Sequence, residues 1–365
     1  MGPHQEWCDK VRRSYTVWCT GIGYQPRGCE IYPRRPPRED NGRGGTEAGR
    51  KHGPGCVCLE ANITKGGTGM GIRIDSIGIS ESIEDKSGFG TRDMIKEAGE
   101  KCLAKSRYTR EDIGVVINVS VYKDHDFAEP ALATFVQNDL GINSHKENTQ
   151  DPKTLSFDVL NGAMGFLNAC QLVGAMVDSG KARAGLVVSG DMVDYDIHER
   201  GSRPGFYMSG TAMILDSVTD GIGFNSFYFR KFVELQDKYE SYIFYDNKKL
   251  SMVLEKDPSL ERIYLNTVVK SVTEFITANG ISLDSFDLVI PPQVSPDFVA
   301  SLSDLLGLDT GKVIDVTKEK GDLFNASLPM AMAHVIDSGR AKPGQKALVI
   351  NVASGMQVGI ATYGF

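Results

Sequence analysis

The sequence predicts a layered α/β fold made of two related halves. Three observations carry this prediction: apolar strands alternate with helices from Met70 onward, a short segment recurs in the second half of the chain, and two glycine-containing turns each join a strand to an apolar helix. Buried strands that alternate with helices are typical of sheets covered on both faces. With 365 residues, 41% of them hydrophobic, the chain is long enough to bury such a core.

The predicted elements follow in order from Met70. Alternating apolar residues predict the first strand, and nearly continuous apolar runs predict the buried ones. Two helices are predicted to end just before Gly141 and Gly180, since glycine is favoured at helix C-termini. The predicted strands cover residues 70–81, 113–121, 154–160 and 184–191, and the predicted helices cover 91–106, 130–140 and 168–179.

An internal sequence repeat indicates that the folded part is duplicated. VDSGKAR at 177–183 recurs as IDSGRAK at 336–342, and each copy precedes an apolar strand. Upstream, FDV at 157–159 matches IDV at 314–316, and FLNA at 166–169 matches LFNAS. Matches in the same order and context predict two halves related by a pseudo-two-fold axis, an N-terminal half over 70–225 and a C-terminal half over 226–365.

Residues 1–69 differ from the rest of the chain. They are rich in Arg, Pro and Gly without a helical or strand period, and they carry a net charge of +4 against −11 for the remainder. Such a segment buries too little apolar surface to offset its ordering entropy. We therefore expect a disordered extension or a misassigned start, with Met70 as the natural first residue.

Charge and composition argue against several classes of binding partner. The pI near 5.5 argues against a nucleic-acid partner. No stretch approaches the roughly 20 apolar residues of a membrane span, and the N-terminus lacks the apolar core of a secretory signal. Cys56 and Cys58 are too close for the usual zinc spacing. We expect a cytoplasmic protein that binds neither nucleic acid nor membrane and needs no metal or cofactor.

The stretch FDVLNGAMGF is the clearest candidate site. A strand that turns through glycines into a buried helix usually presents one reactive side chain to the helix N-terminus, where unpaired N–H groups favour negative charge. Here the exposed position is Ala163, which has no reactive group. The internal repeat predicts a second elbow around Gly321 and Asp322. The two helix starts are therefore expected to converge on one cavity suited to a thiolate or an oxyanion.

Residues 70–365 resemble the thiolase superfamily, most closely ketoacyl-ACP synthase III. The resemblance rests on SFDVLNGAMGF, SGKARAGLVVSGD, FDLVIPPQVSPDFVASLSDLLGL, KGDLFNASLPMAMAHVIDSGRAKPGQ and ALVINVASGMQVGIATYGF, in characteristic order. It implies a five-layered αβαβα sandwich, normally a dimer, that handles acyl thioesters of CoA or acyl carrier protein. In active relatives a Cys takes the acyl group, and a His and an Asn polarise the second thioester.

At all three positions this sequence departs from that pattern. It has Ala163 for the Cys, Pro292 for the His before Gln293, and Asp322 for the Asn. Ala cannot be acylated, and the Pro side chain neither donates nor accepts a hydrogen bond. Asp322 is the one of the three with usable chemistry, as a general base if burial raises its pKa, or otherwise as an N-capping residue.

Other candidates come from the same resemblance. His125 follows the 113–121 strand, where the family lines its entrance, and could act as a base or be merely solvated. Cys170, two turns beyond Ala163, is a packing residue or a displaced nucleophile. Substrate contacts are predicted from the residues that could line an acyl tunnel or the second elbow: Phe127, Met164, Phe206, Met208 and Asn325.

Three functions fit these residues. The first is a non-condensing subunit that pairs with an active paralogue. The second is a Cys-independent acyltransferase that moves the acyl group directly from thioester to acceptor, with proximity and orientation supplied by the cavity. The third is an acyl-CoA or acyl-carrier binder without turnover. The expected partners are acyl-CoA or acyl carrier protein, and a second subunit in a homodimer or heterodimer.

Overall fold

The computed structural model describes residues 71–81, 89–124, 129–144, 154–192, 205–219, 221–246 and 249–365. The chain divides into two units, Met1–Cys58 and Leu59–Phe365, and every described residue belongs to the second. The extension predicted over 1–69 therefore lies outside the described residues, as does Met70.

Strands and helices alternate along the described chain, as the sequence predicts. The strands are β1 (Gly71–Glu81), β2 (Ile113–Asn118), β3 (Leu155–Asp158), β4 (Ala184–Asp191), β5 (Ser209–Val218), β6 (Gly223–Lys231), β7 (Tyr239–Asp246), β8 (Lys249–Lys256), β9 (Leu288–Ile290), β10 (Lys346–Ala353) and β11 (Gln357–Gly364). The helices are α1 (Thr91–Lys105), α2 (Leu132–Asp139), α3 (Gly165–Asp178), α4 (Leu260–Asn279), α5 (Pro296–Leu306) and α6 (Ser327–Asp337).

Nine of these strands form one mixed sheet in the order β3-β2-β4-β5-β1-β6-β11-β10-β9, while β7 and β8 pair separately. In the first half β2 is parallel to β3 and β4, and the pairs β4–β5 and β5–β1 are antiparallel. In the second half β9–β10 is parallel, and β10–β11 and β11–β6 are antiparallel. Val289 in β9 forms an isolated parallel bridge with Val313. This bridge lies next to β9 in the same way that β3 lies next to β2.

The strand order is therefore the one that an internal duplication produces. β1 and β6, the corresponding first strands, meet at the centre through the pair Ile72–Phe224. The IDV segment at 314–316, which matches FDV at 157–159 in sequence, directly follows Val313. The predicted boundary at 225/226 falls inside β6, which begins at Gly223, and the division into halves stays a prediction.

The core consists of three large apolar clusters, and they explain where the helices lie. The central cluster joins α3 and α6 to strands of both halves, including Val115 and Val349. A second cluster packs α1 and α2 on β2, β4 and β5 around Ile95. A third packs α4 and α5 on β9, β10 and β11 around Phe298. The two helices that follow the elbows thus occupy the middle of this unit.

Two predicted strands are shorter than expected, and the one predicted over 154–160 covers only Leu155–Asp158. The apolar run over 113–121 ends as a strand at Asn118. Beyond that residue the backbone N–H groups of Val121 and Tyr122 donate to the carboxylate of Asp191, at 2.8 and 2.9 Å, instead of continuing the ladder. Apolar character alone does not reveal this, because the competing acceptor comes from the end of β4.

Among the described residues, no helix combines the length and apolar character needed to cross a membrane.

The buried carboxylate of Asp216 leads to a prediction about the stability of the fold. Asp216 is 1% exposed and accepts hydrogen bonds from Arg73 at 2.6 Å, from the Tyr108 hydroxyl at 2.7 Å, and from Arg107. We expect Asp216→Asn to lower the free energy of unfolding by about 2–4 kcal/mol, because it leaves the Arg73 guanidinium without its counter-ion and Arg107 with Asp75 alone. Urea denaturation measures the change.

The matched control is Lys101→Ala, which breaks the exposed pair between Lys101 and Glu97 one helical turn apart. We expect that loss to stay within about 0.5 kcal/mol. Equal effects of the two substitutions would show that the Asp216 cluster does not anchor the fold.

Candidate active site

The first elbow joins β3 to α3 through a short 3-10 turn, Gly162–Met164. Gly162 has a φ of +51°, which favours glycine, and a Cβ there would lie 3.3 Å from the Cβ of Ala353. The backbone carbonyl of Ala163 accepts a 2.6 Å hydrogen bond from the side-chain amide of Asn351. A residue of β10, in the opposite half of the sheet, thus holds the tip of the elbow.

The second elbow is built in the same way. Gly321 has a φ of +71°, and the carbonyl of Asp322 accepts the N–H of Tyr207 at 2.7 Å. The following 3-10 turn, Phe324–Ala326, leads into α6 and packs against the first elbow turn. The starts of α3 and α6 are therefore neighbours, as the duplication predicts.

A cavity of about 470 Å³ lies at the two elbows. Ala163, Pro292 and Asp322 all line it, so the structure brings together the three residues that the resemblance to ketoacyl-ACP synthase III singled out. The remaining wall includes aromatic, charged and small polar residues, among them Phe206, Tyr239, Lys256, Glu261, Tyr264, Phe324, Ser327, Asn351 and Ser354. Its volume suits a small-molecule ligand.

Asp322 is the titratable group at the centre of this site. Its carboxylate Oδ1 accepts the N–H of Phe324 at 2.9 Å, and the side chain is half-buried because one side faces the cavity. Burial raises the pKa of Asp322 to about 6, against smaller lowering effects of the Phe324 N–H and the charge of Lys256. A carboxyl with such a pKa can exchange a proton near neutral pH.

Pro292 lies in the loop after β9, and its neighbour Gln293 fixes that loop. Gln293 donates its backbone N–H to the hydroxyl of Ser327 at 3.0 Å, and its side-chain amide donates to the carbonyls of Pro291 and Ile314 at 2.7 and 3.0 Å. The loop backbone is therefore rigidly held. Pro292 itself contributes only an apolar surface to the cavity.

Two predicted site residues, His125 and Phe127, lie outside the described residues. Two of the predicted contact residues, Met164 and Met208, are described but do not line the cavity. Met164 is fully buried and packs against Gly359 in β11, while Met208 is half-buried just before β5. Neither methionine is among the described residues that line the cavity.

The Asn325 side chain also points away from the cavity, and its hydrogen bonds hold the second elbow in place. It is 1% exposed, and its amide donates to the carbonyl of Val119 and to the carboxylate of Asp191, both at 2.9 Å. Burial raises the pKa of Asp191 to about 6, against the lowering effect of the Tyr122 and Val121 N–H groups. The second elbow is thereby tied to the end of β4.

One wall of the cavity is aromatic. Phe206, which the sequence analysis singled out, stacks on Phe324 with ring centroids 5.2 Å apart, and Tyr122 stacks behind it at 5.2 Å. The hydroxyls of Tyr122 and Tyr239 lie 2.6 Å apart, and Tyr122 also donates to Ser241 at 3.2 Å. These contacts connect the hairpin β7–β8 to the elbows.

Neither described cysteine replaces the missing thiol. Cys170 is fully buried in the central cluster, and burial raises the pKa of its thiol far above the usual range. Burial likewise raises the pKa of Cys102 to about 11. Neither side chain is among those that line the cavity, and a neutral buried thiol is unreactive.

Several cavity residues escaped the sequence analysis. Asn351 lies near the end of β10 and Ser354 directly follows it. The sequence predicts an apolar strand here, after IDSGRAK, so their place at a strand end was a usable signal. Lys256, Glu261 and Tyr264 come from the hairpin and the start of α4, a region without an interpretable pattern in the sequence. In the described ranges, no group of three His, Cys, Asp or Glu side chains could hold a metal ion.

Comparison with known proteins agrees with this geometry. Residues 276–365 match the family model described as 3-oxoacyl-acyl-carrier-protein (ACP) synthase III C terminal. The acyl-CoA:acyl-CoA alkyltransferase of Xanthomonas campestris pv. campestris is 25% identical over 309 residues, which are 80% of this chain and 88% of the relative. The beta-ketoacyl-acyl-carrier-protein synthase III of Rickettsia bellii is 24% identical over 280 residues, 74% and 83% of the two chains.

Solved structures show the same fold. OleA from Xanthomonas campestris superposes with a TM-score of 0.67 at 19% identity, covering 81% of this chain and 98% of that one. A 3-oxoacyl-(acyl-carrier-protein) synthase III superposes at 0.69 and 15% identity, with 80% and 99% covered. The protein is thus an α/β protein whose fold resembles that of these structures. In sequence it is similar to ketoacyl-ACP synthase III and to the alkyltransferase of Xanthomonas campestris.

The raised pKa of Asp322 predicts a pH-dependent gain in stability for Asp322→Asn. The folded-state pKa of about 6 lies above the usual 3.8, so ionisation of Asp322 destabilises the fold above pH 6, and this penalty is lost as the pH falls towards 4. We expect the variant to gain about 1–2 kcal/mol at pH 8 and much less at pH 4.5. Denaturant titrations at both pH values measure it.

The control is Asp337→Asn, which removes an exposed carboxylate near the end of α6 and should leave stability unchanged at both pH values. A gain for Asp322→Asn that does not depend on pH would contradict the assignment of the charge penalty to this carboxyl.

Proposed function

We propose that this chain is a ketoacyl-ACP synthase III-like protein that binds acyl thioesters without forming an acyl-enzyme at the elbow, as a non-condensing subunit or the partner of an active paralogue. Ala163 at the tip of an otherwise intact elbow carries this proposal. The proposal includes a five-layered αβαβα fold with pseudo-two-fold halves and a cytoplasmic location.

Three side chains argue against condensation. The methyl group of Ala163 cannot be acylated, and the ring of Pro292 offers no hydrogen bond to a thioester carbonyl. An ionised Asp322 would repel an oxyanion. A polarising donor and a nucleophile are both needed for the covalent reaction, and their joint loss removes it.

The ligand class follows from the relatives. The names of the compared proteins are those of enzymes of acyl-CoA or acyl-carrier-protein substrates, and one OleA variant holds lauric acid and lauroyl-CoA. This chain keeps a cavity at the corresponding elbows, with an aromatic wall of Phe206, Phe324 and Tyr239. An acyl thioester is therefore the ligand that we assign to it.

The edge of the sheet supports pairing with a second subunit. β3 is an outer strand, with Leu155 52% exposed and Leu160 62% exposed, and Leu172 on α3 is 41% exposed. An edge strand flanked by exposed leucines is suited to pairing with another chain. Since β3 leads directly into the first elbow, such a partner would sit close to the cavity.

The second candidate is direct acyl transfer, and Asp322 favours it. An acceptor with an O–H or N–H attacks the thioester carbonyl while Asp322 takes its proton. The C–S bond then breaks, and the departing thiolate takes that proton from Asp322. A pKa near 6 suits this exchange, and the buried cavity supplies orientation.

A thiol returned to the elbow tests whether the cavity accepts thioesters. We expect Ala163→Cys to gain the mass of one lauroyl group on incubation with lauroyl-CoA, because the helix start lowers the pKa of a thiol placed there. The unsubstituted chain should show no adduct. Intact-protein mass spectrometry, with CoA release followed in parallel, records both.

The matched control is Ser179→Cys, which places a thiol at the exposed far end of α3 and should stay unmodified. An adduct on the unsubstituted chain would overturn the proposal, and an unreactive Ala163→Cys would argue against thioester binding. CoA release without an adduct, lost in Asp322→Ala, would select direct transfer over the subunit function.

The exposed edge predicts the position of the subunit interface. Leu160→Glu should weaken self-association or association with a co-expressed Cys-containing paralogue by at least about tenfold, since it places a charge in an apolar contact. Sedimentation equilibrium measures the effect.

Leu305→Glu, at a comparably exposed leucine (58%) on α5, should leave association unchanged. Loss of association in both variants, or in neither, would place the interface elsewhere.

A further inference from the structure

Tyr264 differs from the other tyrosines near the cavity because its hydroxyl has no hydrogen-bond partner among the residues that the structure describes. It lies in the second turn of α4 and lines the same cavity as Asp322. The hydroxyls of Tyr122 and Tyr239 are only 2.6 Å apart and so hydrogen-bond each other. Among the residues that the structure describes, no donor or acceptor is in hydrogen-bonding reach of the Tyr264 hydroxyl.

The surroundings keep this phenol protonated. Burial raises the pKa of Tyr264, and the nearby carboxylate of Asp322 and the phenol of Tyr122 raise it further. A neutral phenol is a hydrogen-bond donor. A donor that is mostly withdrawn from water and unpaired costs free energy, which a ligand oxygen in the cavity would recover.

The cavity otherwise offers a carbonyl oxygen few donors. Pro292 has none, and Asp322 is an acceptor when ionised. One N–H of the Asn351 amide is already donated to the Ala163 carbonyl at 2.6 Å. Tyr264, on α4, belongs to neither elbow, and its hydroxyl is a neutral donor that lines the same cavity as Asp322.

We propose that the Tyr264 hydroxyl donates a hydrogen bond to the carbonyl oxygen of the bound acyl thioester. This inference rests on the proposed binding of a thioester, and it holds for a subunit and for a direct transferase alike. In direct transfer the same bond stabilises the negative charge that develops on that oxygen, while Asp322 takes the acceptor's proton. The missing His and Asn are thereby replaced by a residue on a different element.

Two ligands that differ only at the carbonyl test this role. Lauroyl-CoA has the carbonyl, and S-dodecyl-CoA, a thioether, lacks it. We expect the unsubstituted protein to bind lauroyl-CoA about 3- to 10-fold more tightly than the thioether, the range expected for one neutral hydrogen bond. In Tyr264→Phe this preference should vanish, with the affinity for the thioether unchanged. Isothermal titration calorimetry measures all four dissociation constants.

The control is Tyr242→Phe, which removes an exposed hydroxyl on the β7–β8 hairpin that donates to Glu255 at 3.1 Å and should keep the preference. A preference retained in Tyr264→Phe would overturn the inference and leave the proposed function standing. An equal loss of affinity for both ligands would show a packing role and overturn it as well. If the unsubstituted protein binds neither ligand, the proposed function fails, and the donor role fails with it.

Discussion

The mutual bracing of the two elbows is the interaction on which the rest of the site depends. Asn351 in the second half holds the carbonyl of Ala163, and the N–H of Tyr207 in the first half holds the carbonyl of Asp322. Each bond is made with the opposite half of the chain. Because a buried polar group left unpaired is costly, neither elbow can change its backbone without losing its hydrogen bond to Asn351 or Tyr207.

This bracing explains how an elbow can keep its shape without a reactive side chain. The geometry at Ala163 is set by the positive φ of Gly162 and by the amide of Asn351, and the side chain at the tip contributes to neither. Packing of α3 and α6 in the central cluster adds a further constraint, since both helices start at an elbow. The backbone of the first elbow therefore does not depend on which side chain stands at position 163.

The electrostatics of the cavity differ from those of a thiolate site. Two helix starts converge there and favour negative charge, yet the group present is the carboxyl of Asp322 with its pKa raised by burial. The surrounding phenols of Tyr239 and Tyr264 are held protonated by burial. The cavity thus places a carboxyl that can exchange a proton near neutral pH beside neutral phenols.

A substantial part of the fold could be predicted from the sequence because hydrophobic periodicity is local. The alternation of strands and helices, the two elbows and the positions of Ala163, Pro292 and Asp322 all follow from short stretches of sequence. The end of β2 at Asn118 could not be predicted, because the acceptor that ends it, Asp191, is distant in the chain.

The sequence by itself determined the residue types of the predicted site, a methyl at Ala163, a pyrrolidine ring at Pro292 and a carboxyl at Asp322, since residue type needs no coordinates. Only the tertiary structure decided that these side chains share one cavity, that burial raises the pKa of Asp322, and that the Tyr264 hydroxyl lines the same cavity without a hydrogen-bond partner among the described residues. The physical reason is that solvation and hydrogen-bond pairing depend on neighbours brought together from distant parts of the chain. For the same reason Met164 and Asn325, although close in sequence to the elbows, are turned into the core.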